Sequence, residues 1–352
     1  MIGVCHGGRA GIMTTTEKIY LIKKQLKDKL CILGHYYQRD DVLRHADFVG
    51  DSLELARRAA AAGRAENIVF CGVHFMAESA CILADDRQTV YMPDPNAGCP
   101  MADMAPMREV TKAWNDLSAL GNDWLPIAYV NSSAEIKAFC GEHDGTTCTS
   151  SNAAKVFKWA FQQNKRILFI PDEHLGTNTA HDIGLPDNAV AVFDPGKSLG
   201  GLSAIQIRKA KILAWKGYCH VHMFLPEDVA KARKEHPGAK IIVHPETPKN
   251  VLRLTDAHGS TSQIVKYVNE AESGSTIVIG TELNLVKRLA TLHRERITIY
   301  PLRPSACRNM ALTTEEKLLA LMGNFPPENE IHVEPNLKVN AALALKRMLT
   351  IS

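Results

Sequence analysis

Three cysteines of this sequence lie in turn-rich loops, each after an apolar run with the pattern of a β-strand. Cys99 stands in PNAGCPMADM, Cys219 in WKGYCHVHM and Cys307 in RPSACRNMAL. Zinc sites usually take four ligands and often contain a Cys-x-x-Cys pair, which these segments lack. Three thiolates suit an iron–sulfur cluster that keeps one iron open, and an open iron can act as a Lewis acid on a substrate hydroxyl or carboxylate.

The other cysteines have less distinctive surroundings. The chain has 352 residues and 9 cysteines, an odd number that favours a reducing cytoplasm over a secreted disulfide framework. Cys31, Cys71 and Cys81 lie in apolar strand or helix patterns, so we expect them to pack as small buried hydrophobic residues. Cys140 and Cys148 flank the polar segment GEHDGTT, where we expect free thiols and where a pair or a metal site is the alternative.

A second set of three residues begins three helix-like segments. These are Ser52 in GDSLELA, Ser150 in CTSSNAAKV and Thr261 in HGSTSQIV. Serine and threonine are common N-caps, so capping alone would explain any one of them. Three converging helix N-termini would also offer free N–H groups and positive dipole ends to an anion. The set therefore predicts either three helix caps or a site for a ligand with several carboxylates or a phosphate.

Groups that can exchange protons follow several of the predicted strands. Ligands of parallel α/β proteins bind beyond the carboxyl ends of the strands, where histidine, tyrosine and glutamate can act as general acids and bases. For each residue taken singly, a surface or structural role is the alternative. Asp172, Glu173 and His174 also resemble metal ligands, but three consecutive residues cannot all face one point from a strand, so we expect them to support the site from outside. The candidates are His35, Tyr36, Tyr37, Tyr129, Asn131, His220, His222, His244 and Glu246.

The segments that carry these residues alternate between strands and helices. Nine short apolar runs, among them LCILGHYY, NIVFCGV and RILFIPD, have the pattern of buried strands, and helical patterns such as SSNAAKVFKWAFQQN separate them. A weak internal repeat is visible. From each of the three hydroxyl residues the chain reaches the next strand after 20, 20 and 19 residues, at Gly72, Ile170 and Gly280.

The three loop cysteines keep nearly the same period. Cys99 and Cys307 follow their helix starts by 47 and 46 residues, and Cys219 follows by 69 because the extra segment VFDPGKSLGGLS intervenes. We therefore predict an α/β fold of three similar three-layer α/β/α units with parallel sheets, arranged around a pseudo-threefold axis with the active site at the centre. The expected units span 16–108, 109–222 and 223–308, with the C-terminal tail 309–352 packed on the first.

Bulk composition argues against several classes of protein. The formal net charge is +3 and the basic residues are scattered, which speaks against nucleic-acid binding. No apolar run approaches the roughly 20 residues of a membrane span, and residues 1–18 lack the long apolar core of a secretory signal. We expect a cytoplasmic protein in which residues 1–18 form a disordered lead-in.

Taken in order, the segments resemble the quinolinate synthase family, the iron–sulfur enzymes of de novo NAD synthesis. The resemblance covers roughly residues 16–325. It implies that iminoaspartate condenses with dihydroxyacetone phosphate, with loss of phosphate and two waters, to close the pyridine ring of quinolinate. The segments that carry it are GHYYQ, ADFVGDSLELAR, CGVHFMAESA, PDPNAGCPMADM, YVNSSAEIKA, CTSSNA, PDEHLG, GYCHVH, HPE, GSTSQI and CRNM.

The resemblance also implies roles for particular residues. One [4Fe–4S] cluster per chain would be held by Cys99, Cys219 and Cys307. Carboxylate and phosphate groups would be held at Ser52, Ser150, Thr261, His35 and His222. Substrate would be oriented, and protons moved, by Tyr37, Tyr129, Asn131, His222, His244 and Glu246. Proton transfer during carbon–carbon bond formation and isomerisation is expected mainly from Glu246 and Tyr37.

The sequence departs from the family pattern at three places. The insert from Cys140 to Thr147 lengthens the path from Asn131 to Ser150, so Ser151 is the alternative to Ser150 at the equivalent position. Some members carry a Cys-x-x-Cys-x-x-Cys run at the last ligand, but here the two upstream positions are Pro301 and Pro304, so a redox switch of that kind is absent. Asn284 stands where we expect a glycine after the dipeptide TE. From pathway logic alone, an aspartate oxidase or dehydrogenase would supply the unstable iminoaspartate.

The residues by themselves leave other functions open. An iron–sulfur hydro-lyase acting on another small polycarboxylate would use the same open iron and the same anion sites. A cluster-bearing sensor or RNA-binding protein would need a basic face, which the scattered charges do not predict. A zinc-stabilised structural protein is the third alternative, and metal analysis would separate it from the other two.

Overall fold

The computed structural model describes residues 13–351 of the chain. Within these residues, helices alternate with the strands of three sheets, which contain four, five and four strands. Every pairing between neighbouring strands is parallel. The α/β class with three similar units, predicted from the alternation of patterns, is confirmed.

Each unit contributes one sheet with its own helices. The first unit contains α1 (Thr15–Leu26), β1 (Leu30–His35), α2 (Asp40–Leu43), β2 (Phe48–Gly50), α3 (Ser52–Ala60), β3 (Asn67–Cys71), α4 (His74–Leu83) and β4 (Thr89–Tyr91). The second contains α5 (Met107–Ser118), β5 (Trp124–Tyr129), α6 (Ala134–Glu142), β6 (Thr146–Cys148), α7 (Ala153–Gln162), β7 (Arg166–Ile170), α8 (Glu173–Asp182), β8 (Val190–Phe193), α9 (Ala204–Lys209) and β9 (Ile212–Trp215). The third contains α10 (Pro226–Glu235), β10 (Lys240–Val243), α11 (Lys249–Leu252), β11 (Ala257–His258), α12 (Thr261–Asn269), β12 (Thr276–Gly280), α13 (Leu283–His293) and β13 (Thr298–Pro301). The tail contains α14 (Glu315–Asn324) and α15 (Pro335–Ile351).

The three sheets repeat one strand order. The orders are β2-β1-β3-β4, β6-β5-β7-β9-β8 and β11-β10-β12-β13, so β8 is an added edge strand of the second sheet. It lies in the stretch that lengthens the path to Cys219. The short strands β2, β6 and β11 occupy equivalent edges but have only three, three and two residues, too few for a periodic pattern to reveal. Strand β9, with four residues, was not predicted from the sequence either.

The central strands are apolar because both faces of each sheet are covered. Strands β1, β5 and β7 are buried along their whole length, as expected for parallel sheets between layers of helices. The apolar side of each helix completes the core; Leu53, Leu55, Ala56 and Ala59 of α3 are examples. The carboxyl ends of β1, β5 and β10 are thereby fixed where the candidate site residues begin.

None of the three predicted hydroxyl residues is the N-cap of the helix that follows it. Asp51 caps α3, and Ser260 caps α12 in a capping box with Gln263, so Ser52 and Thr261 are the first helical residues. Helix α7 begins only at Ala153, three residues after Ser150. The interpretation of these hydroxyls as N-caps was therefore wrong, because Asp51 and Ser260 accept the first-turn N–H groups of α3 and α12, and α7 starts too far after Ser150.

The two ends of the described chain are helical. Thr14 forms a capping box with Glu17 at the start of α1, so a disordered lead-in is wrong for residues 13–18, and residues 1–12 lie outside the described part. Helix α14 packs on α1, where Thr16 donates to Glu315 at 2.6 Å. Helix α15 lies mainly against α6 and β6 of the second unit, because Gly141 has no Cβ to block the backbone of Asn340. Among the described residues, no helix is long and apolar enough to cross a lipid bilayer.

Candidate active site

A central cavity of about 70 Å³ is lined by residues from all three units. All thirteen residues to which the family resemblance assigned a role line it, and so does His220, whereas the further candidate Tyr36 does not. Asp51, Phe75, Thr149 and Met310 line it as well, and sequence patterns did not distinguish them. The thirteen are His35, Tyr37, Ser52, Cys99, Tyr129, Asn131, Ser150, Cys219, His222, His244, Glu246, Thr261 and Cys307.

The three loop cysteines reach the cavity from equivalent places. Cys99 follows β4, Cys219 follows β9 and Cys307 follows β13, and each of these strands pairs with the central strand β3, β7 or β12 of its sheet. Burial raises the pKa of the Cys99 thiol to about 12, and charges on Cys99 and Cys307 add to the raised pKa of Cys219. The three sulfurs therefore lie within electrostatic reach of one another, as neutral thiols that a bound metal would deprotonate.

The remaining described cysteines behave as the sequence predicted. Cys31 and Cys71 are buried in the core of the first unit, and Cys81 is half-buried with its Sγ 3.3 Å from the Ile331 carbonyl oxygen. Cys140 and Cys148 are buried free thiols. Burial raises the pKa of these five thiols as it does that of the three loop thiols, but none of the five lines the cavity.

The hydroxyl set is held in place by hydrogen bonds between the units. Ser151 Oγ donates to Asp51 Oδ2 at 2.7 Å, and Ser262 Oγ donates to the same oxygen at 2.5 Å. Asp51 Oδ1 accepts the backbone N–H groups of Leu53 and Glu54 at the start of α3. These bonds tie the loop before α7 and the first turn of α12 to α3, which fixes Ser52, Ser150 and Thr261 around one end of a common space.

Glu246 is the central carboxyl group of the cavity. It follows β10 and is 2% exposed, and its Oε1 accepts a hydrogen bond of 2.5 Å from the Tyr129 hydroxyl. Burial raises its pKa to about 7, although hydrogen bonds from Tyr129 and Cys219 lower it. A carboxyl group that titrates near neutrality can both accept and return a proton during one reaction cycle.

The cavity histidines are neutral. Burial lowers the pKa of His35 to about 4 and that of His222 to about 3, and it lowers the pKa of His244 well below its usual value. The rings of His222 and His244 stack with centroids 4.3 Å apart. Their nitrogens lie 3.7 and 3.6 Å from the Glu246 oxygens, too far for hydrogen bonds and without an ionic attraction.

Tyr37 is held by three residues of the third unit, of which only Thr281 was not named from the sequence. Its hydroxyl lies 2.9 Å from Thr281 Oγ1 and accepts from Thr261 Oγ1 at 3.1 Å. Asn284 Nδ2 donates to the Tyr37 carbonyl oxygen at 3.1 Å, so the unexpected asparagine holds the backbone of this tyrosine. Burial and the charge of Glu246 raise the pKa of Tyr37 well above its usual value, which keeps the phenol protonated.

Helix α8 supports the Glu246 loop from behind. Asn178 Nδ2 donates to the carbonyl oxygens of Pro245 and Thr247 at 2.8 Å each, on both sides of Glu246. Asp172 caps α8, is fully buried, and has a pKa raised by burial and by the charge of Glu246. Asp172 is therefore near Glu246, whereas Glu173 and His174 face a separate surface groove.

Several buried polar atoms around the cavity have no hydrogen-bond partner among the described residues. They include His222 Nδ1, Glu246 Oε2 and Asn131 Oδ1. Buried polar atoms are normally paired, so these atoms fit a site that is completed by a bound ligand. The described residues also contain one compact set of metal-ligating atoms, on Cys219, His222 and Glu246, which lie within 4.8 Å of one another.

Comparisons with known proteins match this chain to one protein family. Residues 17–350 match the family model described as NadA, quinolinate synthetase A protein. The chain is 47% identical to the quinolinate synthase of Corynebacterium glutamicum over 95% of this chain and 87% of that protein. It is 44% identical to the quinolinate synthase of Bacillus subtilis over 95% of this chain and 92% of that protein. With a family match that spans nearly every described residue, the chain belongs to the quinolinate synthetase A family.

Proposed function

We propose that this chain is a quinolinate synthase of de novo NAD biosynthesis. It condenses iminoaspartate with dihydroxyacetone phosphate to quinolinate, with release of phosphate and two waters. The observation that carries the proposal is the central cavity in which three thiols, three hydroxyls at or near helix starts and a carboxyl group of pKa about 7 meet. The family match supplies the reaction, and the cavity supplies groups for each of its parts.

We propose further that Cys99, Cys219 and Cys307 hold one [4Fe–4S] cluster. The support is that each unit contributes one thiol and that the three sulfurs influence one another electrostatically. When bound, such a cluster supplies one open iron as a Lewis acid for a substrate oxygen or nitrogen. A fourth protein thiol would block that position, and the other described cysteines lie outside the cavity lining.

The hydroxyl set is suited to the phosphate and carboxylate groups of the substrates. Ser52 and Thr261 stand at the first positions of α3 and α12, where backbone N–H groups and the positive end of the helix dipole face the ligand. Ser150 completes the set from the second unit. Because His35 and His222 are neutral, they would donate hydrogen bonds to these groups rather than a formal charge.

Glu246 and Tyr37 carry out the proton transfers of the reaction. Glu246 accepts a proton as the carbon–carbon bond forms, because its raised pKa makes it a base that is half-ionised at neutral pH. Tyr129 donates to Glu246 and orients the carboxylate. Tyr37 is protonated before the reaction and can donate this proton to a substrate oxygen that leaves as water. Asn131 and His244 orient the substrate beside Tyr37.

One observation favours a second candidate. The compact set of Cys219, His222 and Glu246 would suit a single zinc ion, which takes thiolate, imidazole and carboxylate ligands. Metal analysis separates the two candidates, since iron with an equal amount of sulfide supports the cluster and zinc alone supports the single ion. A hydro-lyase would have the same metal content but would release no phosphate.

The deciding experiment is an anaerobic assay of the purified, reconstituted chain. Iminoaspartate and dihydroxyacetone phosphate are supplied together, and quinolinate and phosphate are measured. Equal amounts of both products are expected. A protein that contains iron and sulfide in full yield but forms no quinolinate would defeat the proposed function, because the assay would then have tested a complete site.

The setting of the reaction is also a proposal. Iminoaspartate hydrolyses readily, so we propose that an aspartate oxidase or dehydrogenase supplies it close to this enzyme. The described cysteines are all free thiols, which supports work in a reducing cytoplasm.

A further inference from the structure

Lys137 is a fully buried lysine that does not line the cavity but lies close to a residue that does. Its side chain is 0% exposed, and its Nζ donates to the carbonyl oxygen of Ser132. The Nζ also lies 5.7 Å from the ring centroid of Phe75, which lines the cavity together with Cys99. Lysines are almost never fully buried unless they are paired, so this position needs a compensating negative charge.

The local structure disfavours a cation at this place. Lys137 is the fourth residue of α6, and its side chain runs back toward the helix N-terminus, where Ser133 forms the cap. The positive end of the helix dipole repels an ammonium group there. Burial also lowers the pKa of Lys137, to about 8, while negative charges on Glu78, Cys140 and Cys99 raise it. Both the dipole and the loss of water therefore oppose the charge, and nearby anions must offset them.

Two of those anions belong to the first unit, which also supplies Phe75. Glu78 of α4 has a side chain 13% exposed, and its carboxylate also faces His74 at 3.8 Å. Cys99 is the other, as a thiolate once metal is bound. Three thiolates exceed the charge of an oxidised [4Fe–4S] core by one, so the loaded site is anionic, and each added electron makes it more so.

We propose that Lys137 is the buried counter-cation of the iron–sulfur site and that it raises the reduction potential of the cluster. The inference rests on the proposed function, because it requires the cluster. A positive charge behind the Phe75 wall stabilises the more negative, reduced state, and net charge is one of the factors that set cluster potentials. Lys137 touches neither substrate nor metal, so it is a positioning residue that acts through the electrostatic field.

Two substitutions with opposite effects test this inference. Lys137→Met keeps the aliphatic stem and removes the ammonium group, so the reduction potential should become more negative. Glu78→Gln removes the opposing carboxylate, so the potential should become more positive. Lys155→Met removes a lysine from the exposed side of α7, where water and salt screen the charge, and should leave the potential unchanged. The measurement is an anaerobic redox titration of reconstituted protein monitored by electron paramagnetic resonance.

The outcomes are distinguishable from those of the proposed function. Each variant is first analysed for iron and sulfide, and wild-type protein that assembles no cluster would defeat both proposals at once. If the wild-type protein holds the cluster and both Lys137→Met and Glu78→Gln have the wild-type reduction potential, this inference alone is overturned. If Lys137→Met does not fold, Lys137→Gln, which also removes the charge, decides: a more negative potential supports the inference and no change overturns it. Misfolding cannot produce shifts of opposite sign in the two variants.

Discussion

Two sets of three residues line the central cavity, and each set takes one member from each unit. The hydroxyl set of Ser52, Ser150 and Thr261 is held by cross-unit hydrogen bonds through its neighbours, such as Ser151 to Asp51. The thiol set of Cys99, Cys219 and Cys307 lies in loops after the last paired strands, and burial raises the pKa of all three thiols. The hydroxyl set is complete without a ligand, whereas the thiol set stays neutral until metal binds.

The difference shows how one repeated fold produces two kinds of site. At a helix start, the backbone provides N–H groups and the dipole, so a small hydroxyl residue is enough to complete an anion site. In the loop after a strand, the backbone provides no comparable charge, and the side chain itself must be the ligand. Loss of a thiol should therefore be more damaging than loss of a hydroxyl.

The largest effect is expected from the thiol set. Substitution of Cys99, Cys219 or Cys307 by alanine should abolish the cluster and all quinolinate formation, because each thiol would hold a different iron of the proposed cluster. Iron and sulfide analysis after anaerobic reconstitution measures the loss. The matched control is Cys71→Ala, at a thiol buried in the core of the first unit, which should keep full iron content. Full iron and sulfide content in a variant that lacks one loop cysteine would contradict the prediction that the thiol set is the more sensitive of the two sets.

The next effect lies between the two sets, at Glu246. Glu246→Gln should lower kcat about 10²- to 10⁴-fold, the range typical of a general base, while iron and sulfide content stay at the wild-type level. Glu315→Gln is the control, since this mostly buried carboxylate bonds to His45 and Thr16 outside the cavity. If Glu246→Gln instead lost its metal, the carboxylate would have to be counted with the thiol set as a ligand.

The hydroxyl set should respond more mildly. Ser52→Ala or Thr261→Ala should raise KM for dihydroxyacetone phosphate about tenfold, the value of one hydrogen bond to a charged group, because the helix N–H groups remain. Steady-state kinetics of the reconstituted enzyme measure it. Ser79→Ala removes a buried hydroxyl that bonds to the Phe75 carbonyl oxygen, and should leave KM unchanged. A lower kcat with an unchanged KM would contradict this prediction, because the hydroxyl groups would then act in the chemical step rather than in substrate binding.

The smallest effect is on stability and concerns the neutral histidines. The folded-state pKa values of His35 and His222 are lowered to about 4 and about 3 from an ordinary value of 6.5. Between about pH 4 and 6.5 the unfolded chain therefore binds more protons, so these groups make stability rise with pH, by about 1.4 kcal/mol per pH unit for each fully titrating group. Glu246 acts in the opposite direction, because its pKa is raised from 4.5 to about 7.

Urea unfolding of the metal-free chain across this pH range tests the expectation. His35→Asn should reduce the slope of the free energy of unfolding against pH. His332→Asn, at an imidazole 75% exposed, should not change it. Equal slopes in wild type and His35→Asn would mean that His35 is protonated in the folded protein and belongs with the anion-binding charges.

Much of the site could be predicted because residues at repeated spacings in the sequence occupy equivalent positions in the folded units. The repeat of 20, 20 and 19 residues located three equivalent positions at or just before helix starts, and one loop cysteine followed each of them, after 47, 69 and 46 residues. In each parallel sheet the carboxyl ends of the strands share one edge, which places the residues after β1, β5 and β10 at that edge of their own sheets. The packing of the three units then brings these three edges to one cavity. All thirteen predicted residues accordingly line one cavity. The caps were mistaken because a hydroxyl residue beside another good cap cannot be told apart from it by type alone.

The sequence by itself determined the class of fold, the threefold repeat and the identity of the groups in the cavity, since all three are written in periodic patterns and residue types. Only the tertiary structure decided how those groups are supported. Asn178 behind Glu246, Thr281 beside Tyr37 and Lys137 behind Phe75 join residues far apart in the chain or on different elements, and such contacts leave no periodic trace. Burial likewise depends on the packed units, so neutral histidines and a Glu246 of pKa about 7 are properties of the folded cavity rather than of the residues.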